Sequence, residues 1–187
     1  MSLHWLGHLL RNVRANEKHS LAHHPALAAV PQVIQLTSTW YGDCQPMPQC
    51  AAALGQGENI SPPLHWTGVP AGTAELALVM EDPDVPFPRP IIHMVAYGIA
   101  PDSTGLAEGA LREGASGLVF GKGTLGRQGY SGPRPPPGHG SHRYVFYILA
   151  LSQKTQFAVS PKLKGFLAGV TGSMIGRGSL VGMFENK

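Results

Sequence analysis

The sequence predicts a mainly β protein, and three observations carry that reading. Glycine and proline are dense, with 24 and 17 copies in a chain of 187 residues, and they divide it into short apolar runs instead of long stretches of helical period. Charged residues make up only 13% of the chain, which suits a loop-rich β domain better than a helical bundle. The run Arg143-Tyr144-Val145-Phe146-Tyr147-Ile148-Leu149-Ala150-Leu151 is apolar at alternate positions on both sides, as a central strand covered on both faces must be. A chain of this length can form one domain that buries roughly 70% of its unfolded surface.

Taken from the N-terminus, Trp5, Leu6, Leu9, Leu10 and Val13 gather on one side of a helix, while Arg11, Asn12 and Arg14 project elsewhere. The spacing predicts a short amphipathic helix that docks on the domain or on a second subunit, since such stripes are more often buried in protein than laid on a membrane. Residues 16–31 read as a linker, so residues 1–31 form an N-terminal helix and linker and residues 32–187 the domain. Within that domain, strands are expected at 33–37, 75–81, 91–99, 118–121, 142–152 and 180–184. Leu163, Phe166, Leu167 and Val170 have helical spacing, and Ser160-Pro161 suits an N-cap and first turn.

Composition also excludes partners. The formal charge of +3 comes from scattered Lys and Arg, with no basic run to follow a phosphate backbone, so nucleic acid is not expected. No stretch approaches a membrane span. Arg11, Arg14, Glu17 and Lys18 interrupt the early apolar residues where a secretory signal needs a continuous core, which points to a cytoplasmic location. Cys44 and Cys50 are read as a reduced pair: two isolated thiols make no four-ligand zinc site, and there is no CxxC.

Chemistry concentrates in two segments. Asp82-Pro83-Asp84-Val85-Pro86 follows a predicted strand and sets two carboxylates on a loop stiffened by proline, at the rim of a pocket or in an ordinary Asx turn. His93 falls in the next strand, sharing a face with Ile91, Val95 and Tyr97 by alternation. His142 opens the central strand and shares its face with Tyr144 and Phe146. Before it runs a glycine-punctuated loop in which Gly132, Gly138, Gly140 and Ser141 are candidate backbone donors to an oxyanion. Two histidines with two carboxylates also make a metal-dependent hydrolase the main alternative, although HExxH is absent. No GxSxG elbow supports a serine hydrolase, and Gly121-Lys122-Gly123-Thr124-Leu125-Gly126 is read as a turn, because no helix follows it.

These segments resemble the signature blocks of the phosphatidylethanolamine-binding family, in the branch of bacterial Raf-kinase-inhibitor-like proteins. The resemblance rests on Asp82-Pro83-Asp84-Val85-Pro86, on His93, and on Gly132-Pro133 followed by Gly138-His139-Gly140-Ser141-His142-Arg143-Tyr144-Val145-Phe146. It extends from about Gln32 to Glu185 and includes Ser61-Pro62-Pro63-Leu64-His65-Trp66. It implies a large central antiparallel sheet, a smaller sheet and a few peripheral helices. It also implies a pocket for phosphate-like or carboxylate-like anions or a phospholipid headgroup, lined by Asp82, Asp84, Pro86, His93, Gly132, His142 and Tyr144. Neither a cofactor nor catalysis is implied, and the role is that of a binding or regulatory protein. A kinase or protease inhibitor acting through protein contacts is a further alternative, and bacterial relatives are often dimers. Two aspartates beside an anion require compensating charge, which protonated His93 and His142 are expected to supply.

Overall fold

The centre of the computed structural model, which describes residues 4–186, is a six-stranded sheet whose middle strands are covered on both faces. In chain order the strands are β1 (Gln35–Thr37), β2 (Gln45–Pro46), β3 (Leu64–Thr67), β4 (Glu75–Asp82), β5 (Ile91–Ile99), β6 (Gly105–Leu106), β7 (Val119–Phe120), β8 (His142–Leu151) and β9 (Met174–Phe184). The large sheet has the order β2-β9-β8-β4-β5-β7, and β1, β3 and β6 form a small second sheet. Pairing is antiparallel throughout the large sheet except between β2 and β9.

Alternation along β4 and β8 divides the core into two layers. Leu76, Leu78, Met80, Tyr144, Phe146 and Ile148 face the small sheet, where Leu36, Leu64 and Trp66 close over them. Ala77, Val79, Val145, Tyr147 and Leu149 face the other way, onto Phe166, Leu167 and Val170 of a helix at Leu163–Val170. Strands buried on both faces need apolar residues at every position, which is the continuous run the sequence displays. Burying a side chain such as Leu or Phe stabilises the fold by about 2 kcal/mol, so this double layer dominates the favourable side of folding.

The structure departs from expectation in several places, beginning with three short strands that the sequence does not predict, β2, β3 and β6. The last strand begins at Met174, not at residue 180, because Gly176, Gly178 and Gly182 break the apolar pattern. These glycines are required by close approach: a Cβ at Gly178 would collide with the Ile34 carbonyl. The helix after residue 160 starts with Lys162 as its cap and no side-chain bond there, and the Pro161 carbonyl instead accepts from Lys122 N–H at 2.7 Å. Residues 17–28 wind through two 3-10 turns and a short helix, burying Leu21 and Leu27 in the second layer. Finally, the N-terminal helix (His4–Leu9) rests on the body through Gly7, which abuts the Pro137 carbonyl. Its apolar stripe faces out, with Trp5 63% and Leu9 70% exposed.

Candidate functional site

Two strand ends and two loops enclose a cavity of about 230 Å³, lined in part by Asp82, Pro86, Ile91, His93, Gly132 and His142, with Phe87, Leu125, Arg127 and Arg134 around it. Asp82 ends β4 and His142 begins the adjacent β8, so strand pairing itself brings carboxylate and imidazole together. Asp82 Oδ2 lies 2.8 Å from His142 Nδ1, and Asp82 Oδ1 accepts from the Asp84 N–H at 2.8 Å. The second bond is the Asx turn that the Asp-Pro-Asp spacing suggests.

His93 reaches the cavity by an irregularity that alternation cannot anticipate. Met80 pairs with Met94 and Glu81 with Ile92, so His93 is the extra residue of a bulge. The bulge changes the phase of the strand: Val95 and Tyr97 pack in the far layer, whereas His93 sits edge-on to Tyr144 with ring centroids 5.3 Å apart. The expected face shared with Val95 and Tyr97 is therefore corrected, while Ile91 does line the cavity with His93. His93 Nδ1 donates to the Ser131 carbonyl at 2.7 Å, which leaves Nε2 as the nitrogen able to gain a proton. Burial holds this imidazole below its ordinary range, against the upward pull of Asp82.

Two expected lining residues lie elsewhere. Asp84 turns away from the cavity and is clamped by Arg143, whose backbone N, Nε and Nη2 donate at 2.8, 2.9 and 2.8 Å. Burial pushes the Asp84 carboxyl up, but these bonds outweigh it and hold the group below its usual range. Tyr144 is buried behind His93, and its hydroxyl accepts from Arg134 N–H at 3.3 Å. The candidate loop donors are also spent or displaced. Gly132 N–H donates to Asn59 Oδ1 at 2.8 Å, and Gly138 N–H points to the Asn186 carbonyl. Gly132 is needed for a different reason, because a Cβ there would meet the Ala51 carbonyl.

Sequence reasoning missed Asn59, which ties down Gly132 and the Tyr130 carbonyl from a left-handed backbone at φ 58°. It also missed Glu81, which is 1% exposed and accepts the Leu21 N–H at 2.9 and 3.1 Å, with the Tyr147 hydroxyl at 3.4 Å. Burial pushes this carboxyl up to about 7, although both partners pull the other way. The only advance signal for Glu81 was a carboxylate inside an apolar strand. His142 has both ring nitrogens engaged, by Asp82 and by His139 at 2.6 Å. Among the described residues, no group of three or more His, Cys, Asp or Glu is arranged to hold a metal ion. Cys44 and Cys50 are free thiols.

The model of the family described as "Phosphatidylethanolamine-binding protein" matches residues 37–185. The chain belongs to the phosphatidylethanolamine-binding protein family. The chain is also similar to individual proteins. A UPF0098 protein of Methanothermobacter thermautotrophicus is 40% identical over 131 residues, spanning 69% of this chain and 85% of its own. A Mycobacterium tuberculosis protein named "Putative lipoprotein LppC" is 37% identical over 163 residues, covering 86% of this chain and 76% of its own. The crystal structure of Escherichia coli YbcL, described as a member of the mammalian phosphatidylethanolamine-binding family, superposes with a TM-score of 0.76 at 27% identity, over 83% of this chain and 99% of that one. The mainly β architecture, with two sheets and few helices, is thus the fold of the phosphatidylethanolamine-binding family, as the resemblance implied. Among the described residues no helix is long and apolar enough to cross a membrane.

Proposed function

We propose that this protein binds a small phosphate-like or carboxylate-like anion, free or as a phospholipid headgroup, in the cavity between Asp82, His93, Gly132 and His142. Its role on this reading is regulatory and not catalytic. The observation that supports it most is the composition of the cavity wall. Two histidines, His93 and His142, and two arginines, Arg127 and Arg134, line the cavity beside one carboxylate, so an anion meets two permanent cations and two imidazoles that become cations on protonation. The volume falls below the usual range for drug-sized ligands, so a headgroup fits where a large cofactor does not.

The chemistry divides the labour. Arg127 and Arg134 offer planar N–H forks suited to phosphate or carboxylate oxygens. His93 gains a donor at Nε2 when it takes up a proton, and the anion itself favours that uptake. His142 has no nitrogen left to donate to a ligand, so it contributes charge and shape only. Asp82 holds His142 and presents an acceptor, which suits an ammonium-bearing headgroup over a bare anion. The same reading includes a homodimer and a cytoplasmic location, which light scattering and cell fractionation test separately.

Calorimetry with phosphate and phosphoethanolamine on metal-free protein tests the proposal. Saturable binding is expected, tighter for phosphoethanolamine, and lost in Asp82→Ala and in Arg134→Ala with Arg127→Ala. Absence of binding by the wild-type protein to either compound contradicts it.

A further inference from the structure

From Asp82 and His142 in the cavity wall, a chain of polar contacts runs away from the cavity to the N-terminal segment. His142 Nε2 lies 2.6 Å from His139 Nδ1, His139 Nε2 lies 3.2 Å from the Val13 carbonyl, and Arg14 Nη1 lies 2.7 Å from His139 Nδ1 and 3.0 Å from its Nε2. Arg14 Nη1 also donates to the Asp84 carbonyl at 3.3 Å, and Nη2 to the His139 carbonyl at 3.4 Å. His139 and His142 are 0% exposed and Asp82 is 2% exposed. Gly138 and Gly140, at φ 79° and 93°, fold the loop so that His139 points inward.

We infer that Arg14 and His139 are positioning residues that set the tautomer of His142, and that the cavity takes up a proton through a tautomer exchange at His139. The consequence for ligands rests on the cavity being the binding site, whereas the exchange itself does not.

The donors and acceptors leave few choices. The Asp82 carboxylate only accepts, so His142 Nδ1 carries a hydrogen. With both rings neutral, His142 Nε2 must then accept, and the hydrogen in the 2.6 Å contact belongs to His139 Nδ1. His139 Nε2 is left as an acceptor, and Arg14 Nη1, within reach of both ring nitrogens at 2.7 Å from Nδ1 and 3.0 Å from Nε2, can donate to whichever of them lacks a hydrogen. Adding one proton to the pair inverts the pattern. His142 carries hydrogens on both nitrogens, and His139 Nδ1 accepts one of them. The His139 hydrogen moves to Nε2, where the Val13 carbonyl accepts it.

Both states are therefore satisfied at the outer nitrogen, one by Arg14 and the other by Val13. Burial and then the Arg14 charge hold the His139 imidazole below its ordinary range, and the Asp82 carboxylate, 2.8 Å from His142 Nδ1, is the acceptor at the other end of the pair. The groups bearing on His142 are Asp82 from β4, His93 from β5, Tyr144 from its own strand, Asp84 from the acidic loop, His139, Arg127 and Arg134 around the cavity, and Arg14 acting through His139. Of these, Arg14 belongs to the N-terminal segment, so docking of that segment and charging of the cavity wall are coupled.

Imidazole ¹⁵N NMR on the full-length, ligand-free protein from pH 8 to 5 tests this directly, with sulfate affinity measured in parallel because sulfate keeps its charge over that range. In wild-type protein at pH 8, His142 should carry its hydrogen on Nδ1 and His139 on Nδ1. Arg14→Gln, a surface change, removes a cation, so the pair should titrate roughly half a pH unit higher, the scale of one partly screened charge. His139→Phe removes the acceptor that the protonated state needs at His142 Nε2, so proton uptake at the site should move to lower pH. A merely structural role gives no reason for opposite directions. Unchanged midpoints in Arg14→Gln, or a His142 Nε2–H tautomer in the wild type at pH 8, overturn the inference, and the first result decides even if His139→Phe does not fold. Shifted midpoints without sulfate binding would sink the cavity reading and leave the exchange standing.

Discussion

Replacing Glu81 by Gln should make the protein more stable above neutral pH and remove a specific part of its pH dependence. The carboxyl is 1% exposed and is raised from 4.5 to about 7 in the folded state, chiefly by burial. A raised acid binds its proton more tightly folded than unfolded, so its contribution to stability is present below pH 4.5 and is lost as pH rises through 7. At 1.36 kcal/mol per unit the full step is worth about 3 kcal/mol, most of it falling between pH 5 and 8. Glutamine keeps an oxygen to accept from Leu21 N–H and adds N–H groups for Tyr147 and Ser20, so the packing around Leu21 survives. Urea unfolding at both pH values reads the effect. Wild-type protein should be about 2–3 kcal/mol less stable at pH 8 than at pH 5 from this group, and Glu81→Gln should erase that difference, with a melting point at pH 8 higher by roughly 5–10 °C. Equal stability of the two proteins at pH 8, with the same pH slope, would refute the reasoning.

The clamp on Asp84 gives the opposite sign: its lowered carboxyl contributes stability above the unfolded pKa that is lost as pH falls through the folded one. Asp84→Asn should therefore cost about 2 kcal/mol at pH 7 and little at pH 2, by chemical denaturation, while leaving the affinity for phosphoethanolamine within about twofold. Because His93 is held below its ordinary range when empty, sulfate affinity should rise as pH falls from 8 to 6, by at most about tenfold per unit, and His93→Gln should flatten that profile in calorimetry. Gly178→Ala forces a methyl group into the Ile34 carbonyl, and should destabilise by at least about 2 kcal/mol in thermal unfolding, whereas Ala at the open Gly72 should cost no more than its positive φ demands.

The parts of the fold legible in the sequence were those whose signal is local and periodic. The apolar run through β8 announces a strand buried on both faces, and the Asp82-Pro83-Asp84 spacing announces an Asx turn beside it. What stayed hidden depends on contacts between distant segments. The first half of β9 reads as glycine-rich loop because Gly176 and Gly178 serve close chain crossings that leave no mark on their own neighbourhood. The phase of His93 was misread because a bulge is set by pairing with β4, not by β5 alone. Asp84 looks equivalent to Asp82 in the sequence, and only the position of Arg143 on the far face of β8 separates their roles. Asn59 and Arg14 reach the site region from 73 and 125 residues away along the chain, a distance at which residue spacing carries no information.

The central claim, that the cavity at the ends of β4 and β8 is the ligand site, is tested most directly by titrating phosphoethanolamine into ¹⁵N-labelled protein and following backbone amide shifts. Saturating changes confined to Asn59, Phe87, His93, the 131–134 segment and His142 are the result expected, with none at the Ile99–Leu118 depression on the surface. Shifts that never saturate, or that cluster away from these residues, would contradict the claim.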